Sequence, residues 1–219
     1  MYADISTEVL SVLDIGCGVG RWCNYLSGYS NNIIGIDIDH IRLKQAKTNL
    51  ESKNIELLQA SVTDLQFKAN SFDLITSVTV LQHIPNQKKE KSIQEINRVT
   101  KTNGYAMIME MTDIFDDAEH VFPLEKEKWQ EQFEASGFLL VKEYGYDYTP
   151  ILRLLRWIQY KITGKKFINR KGNKVRLSGF KYFILWLSLL LSYPLEIICT
   201  WLLPVKYSRH VGFLFKKSD

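Results

Sequence analysis

Three glycines at alternate positions, Gly16, Gly18 and Gly20, stand in the stretch VLDIGCGVGRW, Val12 to Trp22. A short apolar run precedes them. Glycine at such a place permits a tight turn and lets backbone come close to a ligand. A dinucleotide fingerprint of the form G-x-G-x-x-G would need its third glycine where Arg21 stands. The observed spacing is G-x-G-x-G, with Asp14 two residues ahead of the first glycine. A second carboxylate, Asp37, ends the next apolar run, NIIGID. A carboxylate at that position accepts hydrogen bonds from both hydroxyls of a ribose, and Asp14 is suited to positioning an ammonium group. The implied ligand carries a ribose and an amino acid and has no essential pyrophosphate.

Other residues have types suited to chemistry. His83 lies in LQHIP, and an imidazole with an ordinary pKa of about 6.5 suits proton removal near neutrality. The competing reading is that His83 packs against or caps the helix that follows. Glu110 ends the run YAMIMEM and is expected at the rim of a pocket. The stretch TDIFDDAEHVF adds Asp113, Asp116, Asp117 and His120, either as a substrate-facing loop or as an acidic surface loop. The three cysteines, Cys17, Cys23 and Cys199, show no zinc spacing, and no residue set has metal-ligand spacing. An odd cysteine count and an N-terminus without a basic, then apolar, leader point to a reducing, cytoplasmic setting.

These residues need elements to hold them. Apolar runs expected to form strands are Val9–Asp14, Asn32–Asp37, Ile55–Ala60, Phe72–Val78, Tyr105–Met111 and Phe138–Tyr146. Helices are expected after the glycines, over His40–Ser52 with Leu43, Ala46 and Leu50 on one face, over Lys88–Val99, and over Leu124–Ser136 before Gly137. Alternation of this kind makes an α/β fold: a doubly wound, mostly parallel sheet with helices on both faces. Ligands on such sheets bind beyond the carboxyl ends of the strands. The candidate residues fall at those ends.

Five stretches in order, VLDIGCGVGRW, GIDID, SVTDLQF, FDLITSVTVLQHIP and GYAMIMEM, resemble the class I S-adenosylmethionine-dependent methyltransferases of the small-molecule, type 11/12-like branch. The resemblance covers about residues 9–146 and a last, antiparallel strand at His210–Lys216. It implies a Rossmann-like sheet and S-adenosylmethionine as cofactor. It also implies that Asp14, Gly16 and Gly18 line the methionine end, with Gly20 in the same cofactor loop, Asp37 on the ribose and Ile38 against the adenine. Ser61 and Val62, in the adenine loop, and Ser77, at the end of the fourth strand, complete the implied cofactor set. The family often has Asp where this chain has Ser61, and its members usually carry a helical segment before the first strand. His83 and Glu110 are the candidate catalytic residues; no metal is implied.

The resemblance divides the chain into a core at 1–146, an insertion at 147–208 and the returning strand at 209–219. Charge follows that division. Residues 1–150 carry a net charge of −8 and residues 151–219 a net of +12. Between Lys161 and Lys181 there are eight Lys or Arg and no acid. An amphipathic helix is expected over TPILRLLRWIQYKI, and Tyr182–Leu203 is 22 residues of apolar character broken by Pro194 and Glu196. Three placements for that apolar run stay open: a membrane span, a pair of short helices, roughly Tyr182–Tyr193 and Leu195–Leu203, in a membrane interface, or helices packed on the core or in a homodimer. A single span would strand the last strand away from its sheet. The composition favours an amphipathic or lipid-linked acceptor, such as a glycolipid, a polyprenyl-linked sugar or a quinone, methylated at O or N at the inner membrane face. The rivals are an RNA methyltransferase that uses the basic segment, and a cofactor-binding scaffold without catalysis.

Overall fold

The computed structural model describes residues 11–51, 53–112, 120–148, 194–195 and 197–219. Seven strands form one sheet: β1 Ser11–Ile15, β2 Asn32–Asp37, β3 Ile55–Gln59, β4 Phe72–Val78, β5 Thr100–Met111, β6 Phe138–Tyr146 and β7 His210–Lys217. Their order is β3-β2-β1-β4-β5-β7-β6. The first five are parallel, and β7 runs antiparallel to both β5 and β6. Helices among the described residues that join them include α1 Arg21–Leu26, α2 His40–Asn49, α3 Asn86–Val99 and α4 Lys126–Ala135.

Side-chain alternation along the strands builds two apolar layers. On one face Leu13, Ile15, Ile75, Ala106, Ile108, Val211, Phe213 and Phe215 meet Ile93 and Ile96 of α3 and Trp129 and Phe133 of α4. The Phe133 and Phe215 rings stack with centroids 4.5 Å apart. On the other face Val12, Ile33, Leu74, Met107 and Leu214 meet Cys23 and Leu26 of α1 and Ala46 and Leu50 at α2. Strands buried on both faces read as continuous apolar runs, which is why β2 and β4 coincide with their expected bounds; β6, a half-exposed edge strand, also keeps its expected bounds.

The structure differs from the sequence reading at several ends. The start of the first expected strand, Val9 and Leu10, lies outside the described residues. Strand β5 begins at Thr100, five residues before the apolar run, because Thr100 pairs with Phe72 across a register shift between Phe72 and Leu74. The polar residues Lys101–Asn103 mask that extension in the sequence. Helix α2 stops at Asn49, where Leu50 leaves helical geometry. Helix α3 starts two residues early, directly after Pro85, a residue that suits a helix start.

β7 lies between β5 and β6 and is paired along its length with both. The chain therefore returns to the same sheet at β7, more than 60 residues after β6 ends. The expected helices over 149–162 and 182–193 lie outside the described residues. Residues 197–202 are helical and lead through a 3₁₀ turn, Val205–Tyr207, into β7. Among the described residues no helix is long and apolar enough to cross a membrane.

Candidate active site

The carboxyl ends of β1, β2, β4 and β5 bring the motif residues to one edge of the sheet. The loop after β1 has left-handed backbone at Gly16 (φ 68°) and Gly18 (φ 55°), which L side chains rarely adopt. A Cβ on Gly16 would stand 2.2 Å from Val80 Cγ2, so this glycine also lets the turn after β4 close on the loop. A Cβ on Gly18 would meet only the Gly16 carbonyl, at 4.0 Å. The space over Gly18 is open, as close approach of a ligand requires. Gly20, also left-handed at φ 87°, is the residue before α1.

Asp37 is 8% exposed at the end of β2. Its Oδ2 accepts the Gly18 N–H at 2.8 Å and its Oδ1 the Asp39 N–H at 2.9 Å. Each oxygen keeps a further lone pair, so the carboxylate ties loop to strand and still has capacity for two hydroxyl donors. Beside it Ile38 is 72% exposed, a large apolar side chain presented outward where a planar ring can lie on it.

Asp14 sits deeper. Its Oδ1 accepts from Thr76 Oγ1 at 2.8 Å and its Oδ2 from Cys23 Sγ at 3.2 Å. Burial pushes its carboxyl up to about 6 against the opposing effect of those hydrogen bonds. Ser61 closes a short bridge with Asp64, and its hydroxyl lies 2.9 Å from Thr63 Oγ1. The Val62 side chain is in the core, so any contact from Val62 to a ligand comes from its backbone. Ser77 is fully buried, and its Oγ has no hydrogen-bond partner.

His83 ends a 3₁₀ turn, Leu81–His83, and is exposed. Its Nδ1 lies 2.9 Å from the His120 carbonyl oxygen. A carbonyl only accepts, so Nδ1 carries the proton and donates. In the neutral ring Nε2 is then left with a lone pair, the tautomer a general base needs.

Glu110 differs from its expected place at a pocket rim. It is fully buried. Its Oε1 accepts the Val80 and Leu81 N–H groups at 3.1 and 2.9 Å, and its Oε2 the Gln82 N–H at 2.9 Å. The β5 alternation explains the difference: Glu110 follows Ala106 and Ile108 onto the α3 face, whereas Met107 points to the α1 face.

The sequence reading missed Lys89. This lysine of α3 is 1% exposed and donates to the carbonyls of Leu81, at 3.0 Å, and Ile84. Its ammonium lies over the rings of Phe122 and Trp129. The available signal was its place on the apolar stripe of α3 with Ile93 and Ile96, at helical spacing. Thr76 and Gln82 were also missed. Gln82 Oε1 accepts the Met111 N–H at 2.9 Å. The acidic residues Asp113, Asp116 and Asp117 lie outside the described residues.

A cavity of about 660 Å³ opens beside this edge, on the α1 face. Trp22 and Tyr25 of α1, Val78, Met107 and Met109, and Tyr146 line it, and Arg21 supplies a cation. Its wall is mostly aromatic and thioether, suited to an apolar or aromatic guest.

Comparison with known proteins bears on the family and the fold. The profile of a family described as "Methyltransferase domain" matches residues 13–108. A demethylmenaquinone methyltransferase of Staphylococcus carnosus is 32% identical over 175 residues, which cover 77% of this chain and 67% of that protein. The corresponding enzyme of Lactococcus lactis is 37% identical over 107 residues, 46% of this chain and 42% of that protein. The chain thus spans less than half the length of several of the curated relatives it matches. The crystal structure of an S-adenosylmethionine-dependent methyltransferase from Mesorhizobium loti superposes with a TM-score of 0.65 at 12% identity, covering 97% of this chain and 93% of that one, which is a likeness of fold.

Proposed function

The chain belongs to the class I S-adenosylmethionine-dependent methyltransferases, and on that footing we propose that it transfers a methyl group to an apolar, quinone-like or lipid-linked acceptor at a membrane surface. The cofactor, when bound, supplies a methyl group already activated on a sulfonium. What remains for the protein is to align the acceptor with that methyl, exclude water and remove a proton where the acceptor carries one.

The residues fit those tasks. The open face of Gly18 and the spare lone pairs of Asp37 suit the amino acid and ribose ends. Exposed Ile38 suits the adenine, with the Ser61–Val62 backbone beside it. Asp14 and Ser77 act from behind the loop and strand. His83 Nε2 takes the proton from an acceptor hydroxyl or amine. Arg21 and Trp22, which line the cavity, follow the glycine loop directly in the chain, which supports an acceptor bound beside the cofactor.

The acceptor class rests on one observation above others: a methionine- and aromatic-lined cavity beside the glycine loop. The quinone methyltransferase relatives support a guest of this kind. A surface suited to lipid accompanies it. Trp201 and Leu202 are 86% and 76% exposed, with Leu195, Ile197 and Ile198 also exposed nearby. Lys206 lies over the Tyr207 ring next to them. Aromatic and apolar side chains beside cations suit an anionic membrane interface.

Incubation of membrane and aqueous extracts with a labelled methyl donor tests the proposal. Label in the lipid-soluble fraction is expected. Label confined to RNA or to water-soluble products would contradict the acceptor class, and cofactor binding without transfer to any fraction would favour a scaffold.

A further inference from the structure

We propose that Glu110 and Lys89 are positioning residues: a buried carboxyl and a buried ammonium that clamp the Val80–Ile84 turn onto the glycine loop and so set cofactor affinity and the placement of His83. This rests on the reading above for its functional consequence, though not for its geometry.

The turn is held at both ends by charge. Its leading amides, on Val80, Leu81 and Gln82, all donate to the single carboxylate of Glu110. Its carbonyls at Leu81 and Ile84 accept from the single ammonium of Lys89. The anion sits at the N–H end and the cation at the C=O end, the favourable orientation for aligned peptide dipoles. Both groups are buried. A buried charge is costly unless its hydrogen bonds are satisfied, and here backbone groups of one five-residue turn satisfy most of them.

The clamped turn does two things at the site. It presses Val80 against Gly16, where even a Cβ would not fit. It also carries His83, whose Nδ1 meets the His120 carbonyl. The neighbouring stretches are fastened to the same turn. The Phe122 N–H donates to the Gln82 carbonyl at 2.6 Å, and the Gln82 side chain accepts from Met111 at the end of β5. Trp129, under the Lys89 ammonium, donates to the Met111 carbonyl at 3.2 Å. Loss of either charge therefore frees the part of the wall that faces the cofactor, while the sheet keeps its own ladder.

The test compares the intact chain with Glu110→Gln, Lys89→Met and Lys89→Arg. Glutamine keeps one acceptor oxygen and turns an amide N–H₂ toward a backbone N–H, so one end of the clamp opens. Methionine removes the ammonium and roughly keeps the volume; arginine keeps charge and donors. Three quantities are read: amide hydrogen exchange at Val80, Leu81 and Gln82, S-adenosylmethionine affinity by calorimetry, and the His83 Nδ1 proton resonance. Charge-assisted hydrogen bonds of this class correspond to roughly tenfold or more in an equilibrium. Glu110→Gln and Lys89→Met are thus expected to lose about that much protection at the turn and about that much affinity. The His83 signal should broaden, with β1, β4 and β5 amides unchanged, and Lys89→Arg should recover part of the loss.

Wild-type affinity with wild-type turn protection in both Glu110→Gln and Lys89→Met would overturn the proposal. So would an equal loss of protection across the sheet, which would mark the pair as general stability residues. If Glu110→Gln does not fold, Lys89→Met and Lys89→Arg decide. If the wild type binds no cofactor, the functional reading fails while the exchange data still decide whether the clamp exists.

Discussion

At the scale of single residues, the site separates a carboxylate available to a ligand from two that are enclosed. Asp37 has spare acceptor capacity at the surface of the site, whereas Asp14 and Glu110 are wrapped by protein donors. Burial raises Asp14 to about 6 and Glu110 to about 7. In the unfolded chain both titrate near the ordinary value of about 4. Between those values the folded state binds more protons than the unfolded one, so their contribution to stability is full below about pH 4 and is lost as pH rises through about 7. Asp73 and Glu95, held below their ordinary values by hydrogen bonds, act in the opposite sense under mildly acidic conditions. The melting temperature should therefore be highest on the acid side of neutrality and fall from about pH 6 to pH 8; a melting temperature that rises steadily over that interval would contradict the enclosed carboxylates. For His83, replacement by Gln should leave cofactor affinity unchanged and lower kcat by roughly a hundredfold or more. An unchanged kcat would assign His83 to packing.

At the scale of elements, the glycine loop and the turn after β4 work as one unit, because Val80 occupies the space a Gly16 side chain would need. Gly16→Ala is expected to displace the turn and weaken cofactor binding. The double variant Gly16→Ala/Val80→Ala should regain part of the loss, the remainder being the left-handed backbone at residue 16, worth about 1–2 kcal/mol. Equal binding by the two variants would show that loop and turn are independent. Much of this was legible in the sequence. Continuous apolar runs marked the doubly buried strands, and alternate glycines with flanking carboxylates marked the ligand edge. What was not legible was facing. Glu110 read as a rim residue because the sequence places it at a strand end and leaves open which side of the sheet it takes. Lys89 went unmarked because only tertiary packing supplies the Leu81 and Ile84 carbonyls that satisfy it. The polar start of β5 was hidden because its pairing depends on a register shift with β4.

At the scale of the whole molecule, the first 150 residues are net acidic and the rest net basic. β6 ends at Tyr146, which lines the cavity and pairs with His210 at the start of β7, and Leu195, Ile197, Ile198 and Trp201–Leu203 ahead of β7 are exposed. Flotation with anionic vesicles should carry the protein upward, less so in high salt, and Trp201→Ala/Leu202→Ala should reduce the floating fraction. A protein that never floats would remove the membrane from the account and leave a water-soluble acceptor. The central claim, that this edge of the sheet holds S-adenosylmethionine with Asp37 on its ribose, is tested most directly by calorimetric titration of the wild type and Asp37→Ala. The account predicts one cofactor bound per chain and a loss of roughly tenfold to a hundredfold in the variant. Equal affinity in the two proteins would contradict it.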